Sequence, residues 1–68
     1  MRIEDIFNRI EGHLGKQAFI TLSDGTKLNP ICYGTEANDY GDIYLVISEG
    51  KSKKPLFPGD IADIQFPD

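Results

Sequence analysis

The sequence predicts a mainly β domain, a small five-stranded barrel capped by an N-terminal α-helix. Three observations carry that prediction. Apolar residues recur at helical spacing near the N-terminus, four or five short β-rich runs follow, and Gly, Pro and Asp residues punctuate the runs. Runs this short do not build a sandwich, and closure into a barrel removes the exposed edges of a lone sheet. The 68 residues read as a single domain, with a helical segment over 1–14 and the barrel over 15–68.

The helix comes first. Ile3, Ile6, Phe7, Ile10 and Leu14 fall on one stripe, with Arg2, Asp5, Asn8, Arg9 and His13 elsewhere on the wheel. Glu4 and Asp5 stand in the first turn, where the helix dipole favours anions. Gly12 and Gly15 offer stops, so the helix is expected over about residues 2–13. Its apolar stripe suits a lid over one open end of the sheet. A membrane-surface role is disfavoured because the polar face is poor in Lys and Arg.

The stretch from Leu14 to Tyr33 then reads as a strand, a tight turn and a second strand. Ala18, Ile20 and Leu22 alternate with Gln17, Phe19 and Thr21, the period of a half-buried strand. A two-residue Asp24-Gly25 turn would set Leu22 opposite Lys27. A three-residue loop, Ser23-Asp24-Gly25, pairs Leu22 with Thr26 and Ile20 with Leu28, keeping apolar side chains on one face. That loop is a type I turn closed by a left-handed residue, which glycine accepts because it has no Cβ.

Further along, Pro30 cannot donate to a ladder and belongs at an edge or bulge. The polar stretch Gly34 to Asp42 suits a turn, and Ile43–Ile47 reads as the most buried strand. Glu49 to Lys54 is expected to be a polar connection. Leu56-Phe57 is expected to be a very short strand ending at Pro58-Gly59. In the closing run, Ala62, Ile64 and Phe66 are expected on one face and Ile61 on the other.

This order of elements resembles the Sm-like family. Its first motif runs glycine-lysine, alternating apolar residues, aspartate- or asparagine-glycine, then apolar, glycine and leucine. Gly15-Lys16, Ala18, Ile20, Leu22, Asp24-Gly25 and Leu28 fall in step with it, whereas Pro30 replaces its strand-bending glycine and Cys32 its leucine. The family's nucleotide pocket uses an aspartate, an aromatic or histidine that stacks on a base, and an asparagine that reads it. Asn38-Asp39-Tyr40-Gly41-Asp42 matches that spacing, so the resemblance implies Tyr40 as the stacking residue, with Asp42 in place of the asparagine. The second motif carries arginine-glycine near its end; here Pro58-Gly59 stands without the arginine. About fifty residues take part in the resemblance. What it implies is an Sm-like assembly module, a homo-oligomer that is a ring in the family, with RNA as the usual ligand.

The nucleic-acid-binding set on this reading is Asn38, Tyr40, Asp42 and Gly59, with Lys51, Lys53 and Lys54 as phosphate contacts. Each also has a plain structural reading. Tyr40 suits a ring packed over a barrel end, the lysines a solvated loop, and Gly59-Asp60 a turn. Seven basic against eleven acidic residues give a net charge of −4. That balance disfavours broad binding to phosphates while leaving room for a local basic patch.

No enzyme is expected. His13 has no partner near it in sequence, and Cys32 lies in a strand, so no nucleophile stands beside a base. Glu36, Asp39 and Asp42 lack the ligand order of a calcium loop, and no Cys/His cluster suggests another metal or a cofactor. A lone cysteine cannot form an internal disulfide. A domain of this size buries only about 60% of its unfolded surface, so oligomerisation is an expected remedy. The acidic, interrupted N-terminus is not that of a secretory signal, and no apolar run approaches the ~20 residues of a membrane span. A cytoplasmic location is therefore expected. The alternative to the assembly module is a monomeric SH3-like adaptor, or an acidic inhibitor, that binds a basic protein partner.

Overall fold

The computed structural model describes residues 1–67. Helix α1 spans Ile3–Ile10 and buries Ile6 and Ile10, with Glu4 and Asp5 in its first turn. It is shorter than the 2–13 expected, because the chain leaves helical geometry at Glu11 and Gly12 follows. Leu14 therefore drops out of the apolar stripe and is 57% exposed.

Six strands follow: β1 (Phe19–Leu22), β2 (Lys27–Leu28), β3 (Ile31–Ala37), β4 (Ile43–Glu49), β5 (Ser52–Leu56) and β6 (Ile61–Gln65). A 3₁₀ turn, Pro58–Asp60, precedes the last. They form two three-stranded antiparallel sheets, β2-β1-β6 and β3-β4-β5, which do not close into a barrel. The sixth strand arises because the expected second strand is cut at Asn29-Pro30, where proline has no N–H to give a ladder. Backbone pairing nonetheless crosses the cut. Ala18 N–H donates to the Pro30 carbonyl at 2.8 Å, Cys32 N–H to Lys16 at 3.0 Å, and Gly15 N–H to Cys32 at 2.7 Å. The same chain thus leaves one sheet and enters the other.

The hairpin adopts the three-residue loop. Ile20 lies opposite Leu28 and Thr21 opposite Lys27, while Leu22 N–H donates to the Thr26 carbonyl at 2.8 Å. Gly25 takes φ +91°, the left-handed conformation this loop requires. The Asp24 carboxylate accepts the Thr26 N–H at 2.9 Å, and hydrogen bonding from Thr26 holds its pKa below the ordinary aspartate value.

Two polar stretches are less loop-like than their composition suggests. Gly34–Ala37 belongs to β3, leaving 38–42 as the turn. Ser52, Lys53 and Lys54 belong to β5, so the connection shrinks to Gly50-Lys51, with Gly50 at φ +69°. A glycine at the first position of a two-residue turn is the type II′ pattern, whose twist matches the flanking strands. Alternate exposed side chains on an edge strand read as a loop in a purely compositional pass.

The core lies between the sheets and under α1. Ile6, Ile10, Ala18, Ile20, Cys32, Leu45, Ile47, Ile61 and Ile64 are buried, and each large aliphatic side chain contributes about 1.5–3 kcal/mol on burial. β4 is the most buried strand, with Leu45 and Ile47 inward, although Ile43 at its start is 37% exposed. One face assignment is corrected in β6. Ile61 and Ile64 are both buried while Ala62 is exposed. The cause is a bulge: Thr21 faces Asp63 but Leu22 faces Ile61, so Ala62 is the extra residue and the alternation resets across it.

Ile61→Ala and Ile64→Ala should each lower stability by about 2–5 kcal/mol in urea titration. Ala62→Ser should change it by less than about 0.5 kcal/mol. Insensitivity at Ile61 would contradict the bulge.

Candidate functional site

The turn between β3 and β4 is built around one side chain. Asn38 Oδ1 accepts the backbone N–H of Tyr40 at 2.9 Å and of Asp42 at 3.0 Å. Its Nδ2 donates to Asp42 Oδ2 at 3.3 Å, and its own N–H donates to the Asp42 carbonyl at 3.0 Å. An asparagine that accepts from its own loop is an Asx-type turn former. Asn38 therefore shapes the loop. Tyr40, at the tip, is 91% exposed. Its ring does not pack over an end of the sheets, contrary to the structural role expected for it.

Beside the loop is an open groove of about 490 Å³. Gly41 and Asp42 form one wall and Pro58-Gly59 the other, with Ile3, Ile43 and Phe57 supplying apolar surface. The 3₁₀ turn holds its side in place, with Asp60 N–H bonded to the Phe57 carbonyl at 3.0 Å. The Ser23 hydroxyl donates to Gly59 C=O at 3.0 Å. Asp42 and Gly59, distant in sequence, thus meet in one groove, with Tyr40 on the adjoining tip. Ile3, Ile43 and Phe57 were not legible as site residues. Their apolar character points to the core, whereas Ile43 and Phe57 are exposed and Ile3 is half-buried.

The lysines stand elsewhere. Lys51 occupies the β4–β5 turn, while Lys53 and Lys54 lie on β5 beside a second groove lined by Glu36, Tyr44, Val46 and Pro55. Lys53 Nζ sits 4.7 Å from the centroid of the Tyr33 ring, a cation–π distance. The Tyr44 and Phe57 rings pack at 5.4 Å with a 50° tilt. The structure therefore divides the expected set. Asp42 and Gly59 line one groove, Asn38 and Tyr40 belong to the loop beside it, Lys53 and Lys54 border another groove, and Lys51 stands in the β4–β5 turn.

His13 and Cys32 are both engaged in packing. The His13 ring stacks on Phe66 at 4.6 Å, pinning the segment after β6. Cys32 is fully buried, and burial pushes its thiol pKa up, away from the reactive thiolate. Among the described residues no His, Cys, Asp and Glu side chains group as metal ligands, and no helix is long and apolar enough to cross a membrane.

Asn38→Ala should leave the β3–β4 ladder intact while removing the acceptor for two loop amides. Amide hydrogen exchange at Tyr40 and Asp42 should accelerate, with global stability falling by about 1–3 kcal/mol at most. Unchanged exchange at both amides would show that the backbone alone holds the loop. No protein-family model matches the chain, and neither a curated protein nor a solved structure does so.

Proposed function

We propose that the chain is a non-enzymatic, Sm-like binding module that works as a homo-oligomer, with single-stranded RNA as its ligand. The observation that carries this reading is the convergence of Gly41-Asp42 and Pro58-Gly59 on one groove, beside an exposed Tyr40. Of these, Tyr40, Asp42 and Gly59 belong to the set that the Sm-like resemblance implies for ligand binding. The strand order β6-β1-β2, continued by β3-β4-β5 through the Pro30 bend, supports the same reading. Tyr40 acts as the stacking platform, and apolar walls of Ile43 and Phe57 shelter the base edge. Asp42 narrows the choice of ligand, since a carboxylate accepts hydrogen bonds but donates none at neutral pH.

Self-association runs through the two outermost strands, β5 and β6, each paired on one side only. Their surroundings are of opposite charge: Lys51, Lys53 and Lys54 attend β5, and Asp60 and Asp63 attend β6. Head-to-tail pairing of these edges generates a ring when the rotation closes. The buried free thiol of Cys32 suits a reducing, cytoplasmic setting.

A second reading, the monomeric SH3-like adaptor, is favoured by how those edges are finished. The two-residue turn makes Glu49 and Ser52 a hydrogen-bonded pair, so by alternation Val46 and Pro55 form a non-hydrogen-bonded pair. The outward position at Pro55 then has no donor to offer. Lys54, opposite the buried Ile47, places a charge on the core-facing side of the same edge. On β6, Arg9 Nη1 already donates to the Ile64 carbonyl at 2.8 Å and to Asp63 Oδ1 at 3.1 Å. Proline, inward charge and a capped carbonyl are all devices that discourage edge pairing.

Light scattering separates the two readings. A closed multiple of the chain mass supports the assembly module, and a monomer overturns it in favour of the adaptor and a basic protein partner. In an RNA titration, Tyr40→Ala should weaken binding by about 1–3 kcal/mol, the value of one base–aromatic stack. Equal binding by the variant would remove Tyr40 from the site, and no binding by the parent chain would remove RNA.

A further inference from the structure

Among the described residues that line the loop groove, Asp42 alone carries a charge; the others are Ile3, Ile43, Phe57, Pro58 and two glycines. The carboxylate is only partly engaged. Asn38 Nδ2 donates to Oδ2 at 3.3 Å, and among the described residues no cation stands within ion-pair distance of either oxygen. Each oxygen carries two lone pairs, so Oδ2 can take a second donor beside Asn38 and Oδ1 is free. At about 490 Å³, the groove falls within the range of ligand pockets, about 300–1,000 Å³.

The opposite wall leaves room for a ligand. Gly59 does not take a positive φ, unlike the other six glycines of the chain. A Cβ at this position would meet no atom within 4 Å. Neither backbone conformation nor packing therefore demands glycine here. What the bare backbone supplies is space across the groove from Asp42, and the Ser23 hydroxyl, donating to the Gly59 carbonyl at 3.0 Å, holds that wall in place.

We propose that Asp42 makes this groove selective for guanine, a reading that rests on single-stranded RNA as the ligand. The unstacked bases of such an RNA are read on their Watson–Crick edges. A carboxylate only accepts hydrogen bonds, so it suits an edge with two adjacent donors. Guanine has that edge: N1–H and the N2 amino group lie side by side and engage both carboxylate oxygens together. Uracil has one donor, N3–H, between two carbonyl oxygens that the carboxylate repels. Adenine and cytosine each set a ring-nitrogen acceptor beside their amino group. A base in the groove excludes water from Asp42, so a mismatched edge leaves the charge poorly paired. The sugar and phosphate are remote from the Watson–Crick edge, which keeps the phosphate at the rim and away from the carboxylate.

The test is fluorescence anisotropy with a labelled oligouridine and with versions carrying one central guanosine, adenosine, cytidine or inosine. The guanosine version should bind about tenfold or more tighter than each of the others, the discrimination of one good bidentate pair. Inosine keeps N1–H and lacks the N2 amino group, so its deficit isolates the second bond. Asp42→Asn, whose amide sets a donor beside the acceptor, should abolish the preference for guanosine. Gly59→Ala should weaken the guanosine complex, since the added methyl takes up groove space. Both positions are exposed, so both variants should melt with the parent chain. Equal affinity for all the RNAs, or preference for another base, would overturn guanine selection while leaving RNA as the ligand. Binding of none would overturn RNA itself, and the selection with it. A guanosine preference kept in full by Asp42→Asn would overturn the role of Asp42, and unchanged binding by Gly59→Ala would take the base out of this groove.

Discussion

Pro30 has no amide hydrogen, and much of the fold follows from that. A strand running unbroken from Lys27 to Ala37 would belong to one flat ladder. The interruption at Asn29-Pro30 instead allows the chain to turn from the β2-β1-β6 sheet into the β3-β4-β5 sheet. The bend is held from both sides. Gln17 Nε2 donates to Asn29 Oδ1 at 2.8 Å, Asn29 Nδ2 donates to the Ala18 carbonyl at 2.7 Å, and the Pro30 ring is buried. With the sheets turned toward each other, Ile20 and Ile64 from one meet Leu45 and Ile47 from the other, and α1 covers the remaining apolar surface with Ile6 and Ile10. A glycine can bend a strand by conformational freedom; proline does so by withholding a donor, which leaves a stiffer joint.

The same bend accounts for the separation of the surfaces. The 38–42 loop and the 57–60 turn are brought to one groove, whereas the β4–β5 hairpin carries Lys51, Lys53 and Lys54 along an edge of the second sheet. An acidic loop and a basic hairpin on one small domain give it two chemically distinct surfaces. A net charge of −4 conceals this division, because it averages over both.

The hairpin was legible in the sequence because two independent requirements agreed: Ile20 must face Leu28, and a left-handed residue must follow Ser23-Asp24. Side-chain period and turn chemistry each left a single answer. The face of Ala62 was not legible, since a bulge is a decision of the pairing partner and leaves no mark in the bulged strand itself. The strand through Ser52-Lys53-Lys54 was hidden for a related reason. An edge strand is solvated on several sides, so its composition looks like that of a loop. At the candidate site, Tyr40 is exposed and Asp42 shares a groove with Gly59, a proximity that spacing along the chain does not encode. The role of Asn38 as loop architect depended on hydrogen-bond directions that spacing does not encode.

One side-chain amide, then, fixes the path of a whole loop, and the residues at its apex owe the fold almost nothing. Among the described residues, the side chains of Asp39 and Tyr40 enter no hydrogen bond and no core contact. The apex is a mount whose occupant is exchangeable. With Asn38 and Gly41 retained, the two positions between them are open to drift, and a change of ligand is accessible without a compensating change in the interior. Specificity in such a domain evolves at the cost of a contact, not at the cost of a core.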